Sequence, residues 1–99
     1  MNRAEVISRL KQVEPALRAH GVRALFLYGS YARDEARPES DLDILVELTP
    51  EAEREVARYL APFHVLEDEF PGIQIGYGTA DEIVSHYRPD IERSALKVF

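Results

Sequence analysis

Two apolar runs, VRALFLY at residues 22–28 and LDILVEL at 42–48, flank a polar stretch that opens on Gly29-Ser30. Each run has the length of a strand and is short for a helix. Val22 to Tyr28 is apolar on both parities, which suits a central strand covered on both faces. Asp41 to Leu48 is read as the second strand. A chain built around two such segments must form a sheet, and everything else must cover it.

The flanking sequence supplies that cover. Val6, Leu10, Val13 and Leu17 recur at helical spacing across residues 2–20. Pro15 falls inside the pattern and is expected to kink the helix or start a second short one. Gly21 is a natural stop. Tyr31 to Ala36 can form a short helix that ends before Pro38. Thr49 as N-cap and Pro50 at the first position open a helix with Ala52, Val56, Tyr59, Leu60 and Phe63 on one face; Pro62 leaves its far end open. Ile73 to Tyr77 is a third, short strand. Thr79-Ala80-Asp81-Glu82 reads as a capping box for a helix through Tyr87. Pro89 is expected to start a last helix to the C-terminus, with Ile91, Ala95 and Val98 on its inner side. Three strands interleaved with helices give an α/β or α+β domain; element order alone leaves strand directions open.

The 99 residues fit one domain, 1–99, with no repeat or linker. Without cysteine there is no disulfide framework, thiolate metal site or thiol nucleophile. The N-terminus has no signal-peptide core, and no apolar run approaches the roughly 20 residues of a membrane span. A cytoplasmic protein without membrane attachment is the expectation. A net charge of −6 argues against general adhesion to nucleic acid. Residues 1–28 carry five Arg/Lys against two Glu, and the acidic excess lies beyond them. A basic helix on an acidic domain accounts for this. Ten Arg against two Lys, with one Asn and two Gln, fit a heat-adapted source.

Chemistry concentrates between the first two strands. Asp41 and Asp43, two apart on a strand, face the same way with backbone positions roughly 6.5–7 Å apart. Such a pair repels unless protonated or bridged by a cation, and hard oxygen ligands favour Mg2+ or Mn2+. A bare D-x-D is more often a solvated strand entrance, with Ser40-Asp41 as turn residues. Gly29 lets the backbone turn sharply and admits close approach. A helical turn after it would offer free N–H groups to an anion, with the Ser30 hydroxyl as a further donor.

The constellation in "GSYARDEARPESDLDILVEL" resembles the signature of the DNA polymerase β-type nucleotidyltransferase superfamily, and more narrowly the minimal nucleotidyltransferase (MNT) antitoxins. The resemblance implies a nucleotidyltransferase fold with a small three-stranded mixed sheet flanked by helices. It implies that Gly29 and Ser30 hold nucleotide phosphates and that Asp41 and Asp43 bind Mg2+ with the triphosphate of ATP. It makes Arg33 a phosphate contact, against the alternative of a surface charge paired with Glu35. Arg37 and Ser40 are weaker candidates. The family transfers AMP to a protein hydroxyl, usually a tyrosine of a helical HEPN ribonuclease toxin encoded beside it.

One position departs from the family. Its third carboxylate falls in an apolar-Asp-apolar stretch, and here that stretch reads Ile73-Gln74-Ile75. Gln74 carries no charge and cannot act as a base. Glu67, Asp68, Glu69 and Asp81 lack the right strand parity, and Glu47 lies too far along its strand. Two function classes therefore stand: a protein adenylyltransferase, and a weak or inactive binding module that neutralises a HEPN toxin by contact. His20, His64 and His86 have no metal-ligand spacing. Tyr28, Tyr31 and Tyr77 are core or rim residues before they are base-stacking ones, and the charge run from Glu51 to Arg58 reads as a solvated helix face.

Overall fold

The computed structural model describes residues 1–79 and 95–99. α1 (Arg3–Gln12) starts at Asn2, whose side chain accepts a hydrogen bond from the Glu5 N–H at 2.9 Å. Val6 and Leu10 are its buried contacts. Pro15 divides the helical pattern as expected: it sits in the first turn of α2 (Glu14–Ala19), where its missing N–H costs nothing. Gly21 then turns the chain with φ +94°, and a Cβ there would lie 2.7 Å from the Ala52 Cβ.

β1 (Val22–Tyr28) and β2 (Leu42–Leu48) run antiparallel, joined by the single turn α3 (Gly29–Ala32) and a loop. The helix expected at Tyr31–Ala36 thus begins and ends earlier. α4 (Pro50–Arg54) opens on Thr49, whose hydroxyl accepts from the Ala52 N–H at 3.3 Å. The expected single helix is interrupted at Glu55, whose φ −114° and ψ 127° are extended, and resumes as α5 (Val56–Glu69). α5 passes through Pro62, whose ring is buried in the core. β3 (Ile75–Thr79) pairs in parallel with β2, which the α4–α5 crossover makes possible. It lies two residues later than the expected strand.

The C-terminus corrects the sequence reading. No helix reaches it: β4 (Leu96–Lys97) pairs antiparallel with β1. The Val98 N–H donates to the Leu25 carbonyl at 2.8 Å, and the Leu25 N–H donates to the Phe99 carbonyl at 3.1 Å. A fourth strand therefore extends the expected three, in the order β3-β2-β1-β4. The segment is too short for periodicity to separate helix from strand, and the open edge of β1 decides. The capping box and the start of the proposed last helix lie outside the described residues, apart from Thr79, which closes β3.

The sheet is sided. Leu25, Leu27, Leu42, Ile44 and Val46 pack with Val6, Leu10, Leu17, Ala52, Leu66 and Phe70 of the helical layer. Register places Tyr28, Phe26, Asp43, Leu45, Gly76 and Gly78 on the other face. Leu45, 1% exposed, shows that this second face is also partly covered. Among the described residues no helix is long and apolar enough to cross a membrane.

Candidate active site

The site lies where β1 ends and β2 begins. Antiparallel register sets Tyr28 opposite Asp43, so the residue before Gly29-Ser30 and the second aspartate share a face. Gly29 has φ +74°, a conformation that favours glycine, and a Cβ there would meet the Asp43 carboxylate, 3.2 Å from its Cγ. The group that approaches Gly29 closely is thus the protein's own Asp43. The loop and the D-x-D strand form one unit.

The loop is tightly folded. The Arg33 N–H donates to the Gly29 carbonyl, the Asp34 N–H to that of Tyr31, and the Glu35 N–H to that of Ser30, at 2.8–3.2 Å. The N–H groups at the start of the turn have no carbonyl within it to meet. Asp34 holds φ +58° and its Oδ1 accepts from the Arg3 N–H at 3.1 Å, while the Arg3 guanidinium donates to the Ala32 carbonyl at 3.3 Å. The first turn of α1 therefore ties down the far end of the loop. Sequence reasoning missed this tie; Asp34 at positive φ has no sequence mark of its own.

Electrostatics follow from the placement. Asp41 is exposed and Asp43 half-buried. Burial raises the Asp43 pKa above the ordinary carboxylate value, the Asp41 charge raises it further, and Arg33 lowers it. Burial, then the Asp43 charge, raises the Tyr28 phenol. Arg33 is half exposed, and its Nε donates to Glu35 Oε2 at 3.2 Å. It pairs with Glu35 and also acts on Asp43 through its field. Ser40 is engaged in the backbone: its Oγ accepts from the Arg37 N–H, and its own N–H donates to the Arg37 carbonyl, both at 2.9 Å. This turn delivers the chain into Asp41.

β3 completes the rim. The Leu42 N–H donates to the Gln74 carbonyl at 2.8 Å, and Leu42 pairs with Ile75. One residue back, the same register sets the exposed Gln74 level with Asp41. Gly76 stands level with Asp43. The sequence reading gave Gly76 no role, although a glycine inside a strand signals close backbone approach. Among the described residues, no three His, Cys, Asp or Glu side chains gather as a metal site. Two hard carboxylates whose mutual charge raises the proton affinity of the inner one still suit a divalent cation that takes its other ligands from a phosphorylated substrate.

The other candidates lie elsewhere. Tyr31 is 5% exposed and belongs to the core. Tyr77 donates its hydroxyl to the Tyr59 carbonyl at 2.8 Å on the helical face. His64 is exposed and 3.2 Å from Glu67, and His86 lies outside the described residues. A cavity of about 460 Å³ is lined by His20, Gly21, Thr49 and several alanines, and a smaller one by Arg23, Glu47 and Thr79. Both lie at the opposite end of β1 and β2 from the carboxylates.

Comparison with known proteins bears on the family and the fold. Residues 7–98 match the family model described as a nucleotidyltransferase domain. A protein of Methanocaldococcus jannaschii named as a candidate protein adenylyltransferase is 49% identical over 37 residues, 37% of this chain and 40% of that protein. The protein adenylyltransferase MntA of Thermococcus cleftensis is 44% identical over 46 residues, 38% of this chain and 46% of its own length. A second M. jannaschii protein, also named as a candidate protein adenylyltransferase, is 31% identical over 98 residues, 90% of this chain and 97% of that one. A solved structure described as a candidate minimal nucleotidyltransferase superposes with a TM-score of 0.78 at 26% identity, covering 97% of this chain and 95% of the other. This chain belongs to the nucleotidyltransferase domain family and has the fold of a minimal member.

Proposed function

We propose that this domain uses Mg2+ or Mn2+ to transfer AMP from ATP to a hydroxyl of a partner protein, and that the partner is a HEPN-type helical toxin. The observation that carries the reading is the seating of Asp43 against Gly29. It joins the carboxylate suited to a cation with the loop suited to phosphates. The names of the relatives, protein adenylyltransferases, support AMP as the transferred group and a protein as acceptor.

The residues have separable roles in this reading. The first N–H groups of the Gly29–Ala32 turn and the Ser30 hydroxyl donate to phosphate oxygens. Arg33 adds positive charge beside them, and a guanidinium suits phosphate. Asp41 and Asp43 hold the cation, which when bound neutralises the triphosphate and the departing pyrophosphate. The acceptor hydroxyl must lose a proton, and the Gln74 amide offers no base for it. Binding is therefore better provided for than transfer.

That imbalance supports a second reading, in which the domain neutralises its partner by contact with little or no transfer. The observation favouring it is an uncharged Gln74 level with Asp41, at the position where the resemblance expects a third carboxylate. Calorimetric titration of ATP with and without Mg2+, on the wild type and on Asp41→Ala/Asp43→Ala, tests the site. Mg2+-dependent binding lost in the double variant is expected; equal binding by both proteins sinks the assignment. Co-expression with a small helical protein from a neighbouring gene, followed by labelled-AMP transfer, separates the two readings. A shared elution peak with no labelling selects the contact mode.

A further inference from the structure

Asp43 lies between two glycines. Its Oδ2 faces Gly29 of the loop and its Oδ1 faces Gly76 of β3, where an added Cβ would lie 2.6 Å from Oδ1 and 3.6 Å from Cγ. Side-chain carbons do not come that close to an oxygen. The two glycines differ in what demands them. Gly29 has φ +74°, so its backbone alone favours glycine; Gly76 is not among the positive-φ glycines. Gly76 sits in a regular parallel ladder, paired with Asp43. Alanine there would suit the strand better, since glycine in a strand interior loses more conformational freedom on folding. Among the described residues, the three heavy atoms nearest its missing Cβ all belong to Asp43, and the carboxylate Oδ1 is the one too close.

We propose that Gly76 is a positioning residue for Asp43. By leaving its β3 site empty, it lets the carboxylate lie between loop and strand with one oxygen against each backbone. That arrangement fixes a single rotamer. A side chain at residue 76 would displace the carboxylate, whose other oxygen already faces Gly29, so the group would swing out of the rim. The proposal rests on the reading of Asp43 as a cation-binding residue, but the rotamer itself does not depend on that reading.

The test uses the whole chain. In ligand-free wild type, three-bond Hα–Hβ couplings of Asp43 should report one staggered rotamer. In Gly76→Ala they should shift to another rotamer or to an average. Binding of ATP with Mg2+ should weaken about 10–100-fold, as when a group supporting a metal ligand is lost. In an Asp43→Ala background, Gly76→Ala should change nucleotide affinity no further, a non-additivity that a purely structural role would not produce. Should Gly76→Ala fail to fold, Asp43→Ala/Gly76→Ala should fold, because the clash is with the carboxylate. Rotamer averaging in the wild type, unchanged couplings in Gly76→Ala, or a double variant that also fails to fold overturns the proposal. If the couplings behave as expected while the wild type binds no ATP with Mg2+, the positioning stands and the transferase reading falls.

Discussion

At the scale of single residues, Asp43 carries a cost set by its place. Burial and the Asp41 charge raise its pKa, with Arg33 as a partial offset. A carboxyl raised in the folded state binds more protons there than in the unfolded chain, so stability falls as pH rises through the folded pKa. Asp43→Asn removes that burden. Its melting temperature should exceed that of the wild type at pH 7, and the gap should close as the pH falls below the ordinary carboxylate range. Thermal melts across pH check this; a constant gap would assign the effect to packing. Gln74 invites the opposite change. Gln74→Asp should raise labelled-AMP transfer, since general-base help is worth on the order of 10²–10⁴ in rate, while ATP affinity changes little. Rapid transfer by the wild type with no gain in the variant would mean that residue 74 is not the third position. Gly29, Ser30 and the two aspartates were legible because a loop glycine and paired charges at the edge of an apolar run stand out. Gly76 was not, because its meaning depends on which β2 residue lies beside it.

At the scale of elements, the loop between β1 and β2 is held by its neighbour as much as by itself. Asp34 adopts φ +58° and accepts from the Arg3 N–H. A left-handed conformation costs a residue with a Cβ about 1–2 kcal/mol, and the hydrogen bond returns about 0.5–1.5 kcal/mol. Asp34→Gly gives up the bond but also the strain, so its stability should stay within about 1 kcal/mol of wild type. Asp34→Ala gives up the bond and keeps the strain, and should be the less stable of the two. Urea unfolding of both variants measures the difference, and the reverse order would show that the positive φ of residue 34 carries no strain. Helix boundaries were legible where proline or a cap marks them, as at Pro15 and Thr49-Pro50; the Asn2 cap was not read. The break at Glu55 carries no such mark, and Pro62, which left the far end of the helix open, lies inside α5. A proline whose ring is buried in the core can be worth more there than the backbone bond it removes.

At the scale of the whole molecule, the two ends of the chain converge on β1. Arg18 of α2 lies over the Phe99 ring, 4.9 Å from its centroid, and its guanidinium donates to the Arg23 carbonyl at 3.2 Å. Residues 96–99 pair with the edge of β1, and Val98 is buried. This pairing was illegible in the sequence: a short run such as ALKVF suits helix or strand, and its partner Leu25 is distant along the chain. Yet β1 ends at Tyr28, directly before Gly29, so what secures its edge also secures the loop against which Asp43 rests. Deleting Leu96–Phe99 removes the burial of Val98, worth about 1.5–3 kcal/mol, the β1–β4 ladder, and beyond that ladder two backbone hydrogen bonds at about 1 kcal/mol each. The truncated chain should lose at least roughly 3.5 kcal/mol in urea unfolding. Its apolar β1 edge should also draw it into oligomers visible by light scattering. Val98→Ala keeps the backbone pairing and loses only side-chain burial, so it should be less destabilised and remain unassociated. If nucleotide binding in the presence of Mg2+ falls in the truncated chain well before its unfolding midpoint, the β1 edge and the loop are mechanically one unit; if binding persists until the chain unfolds, β4 serves stability alone.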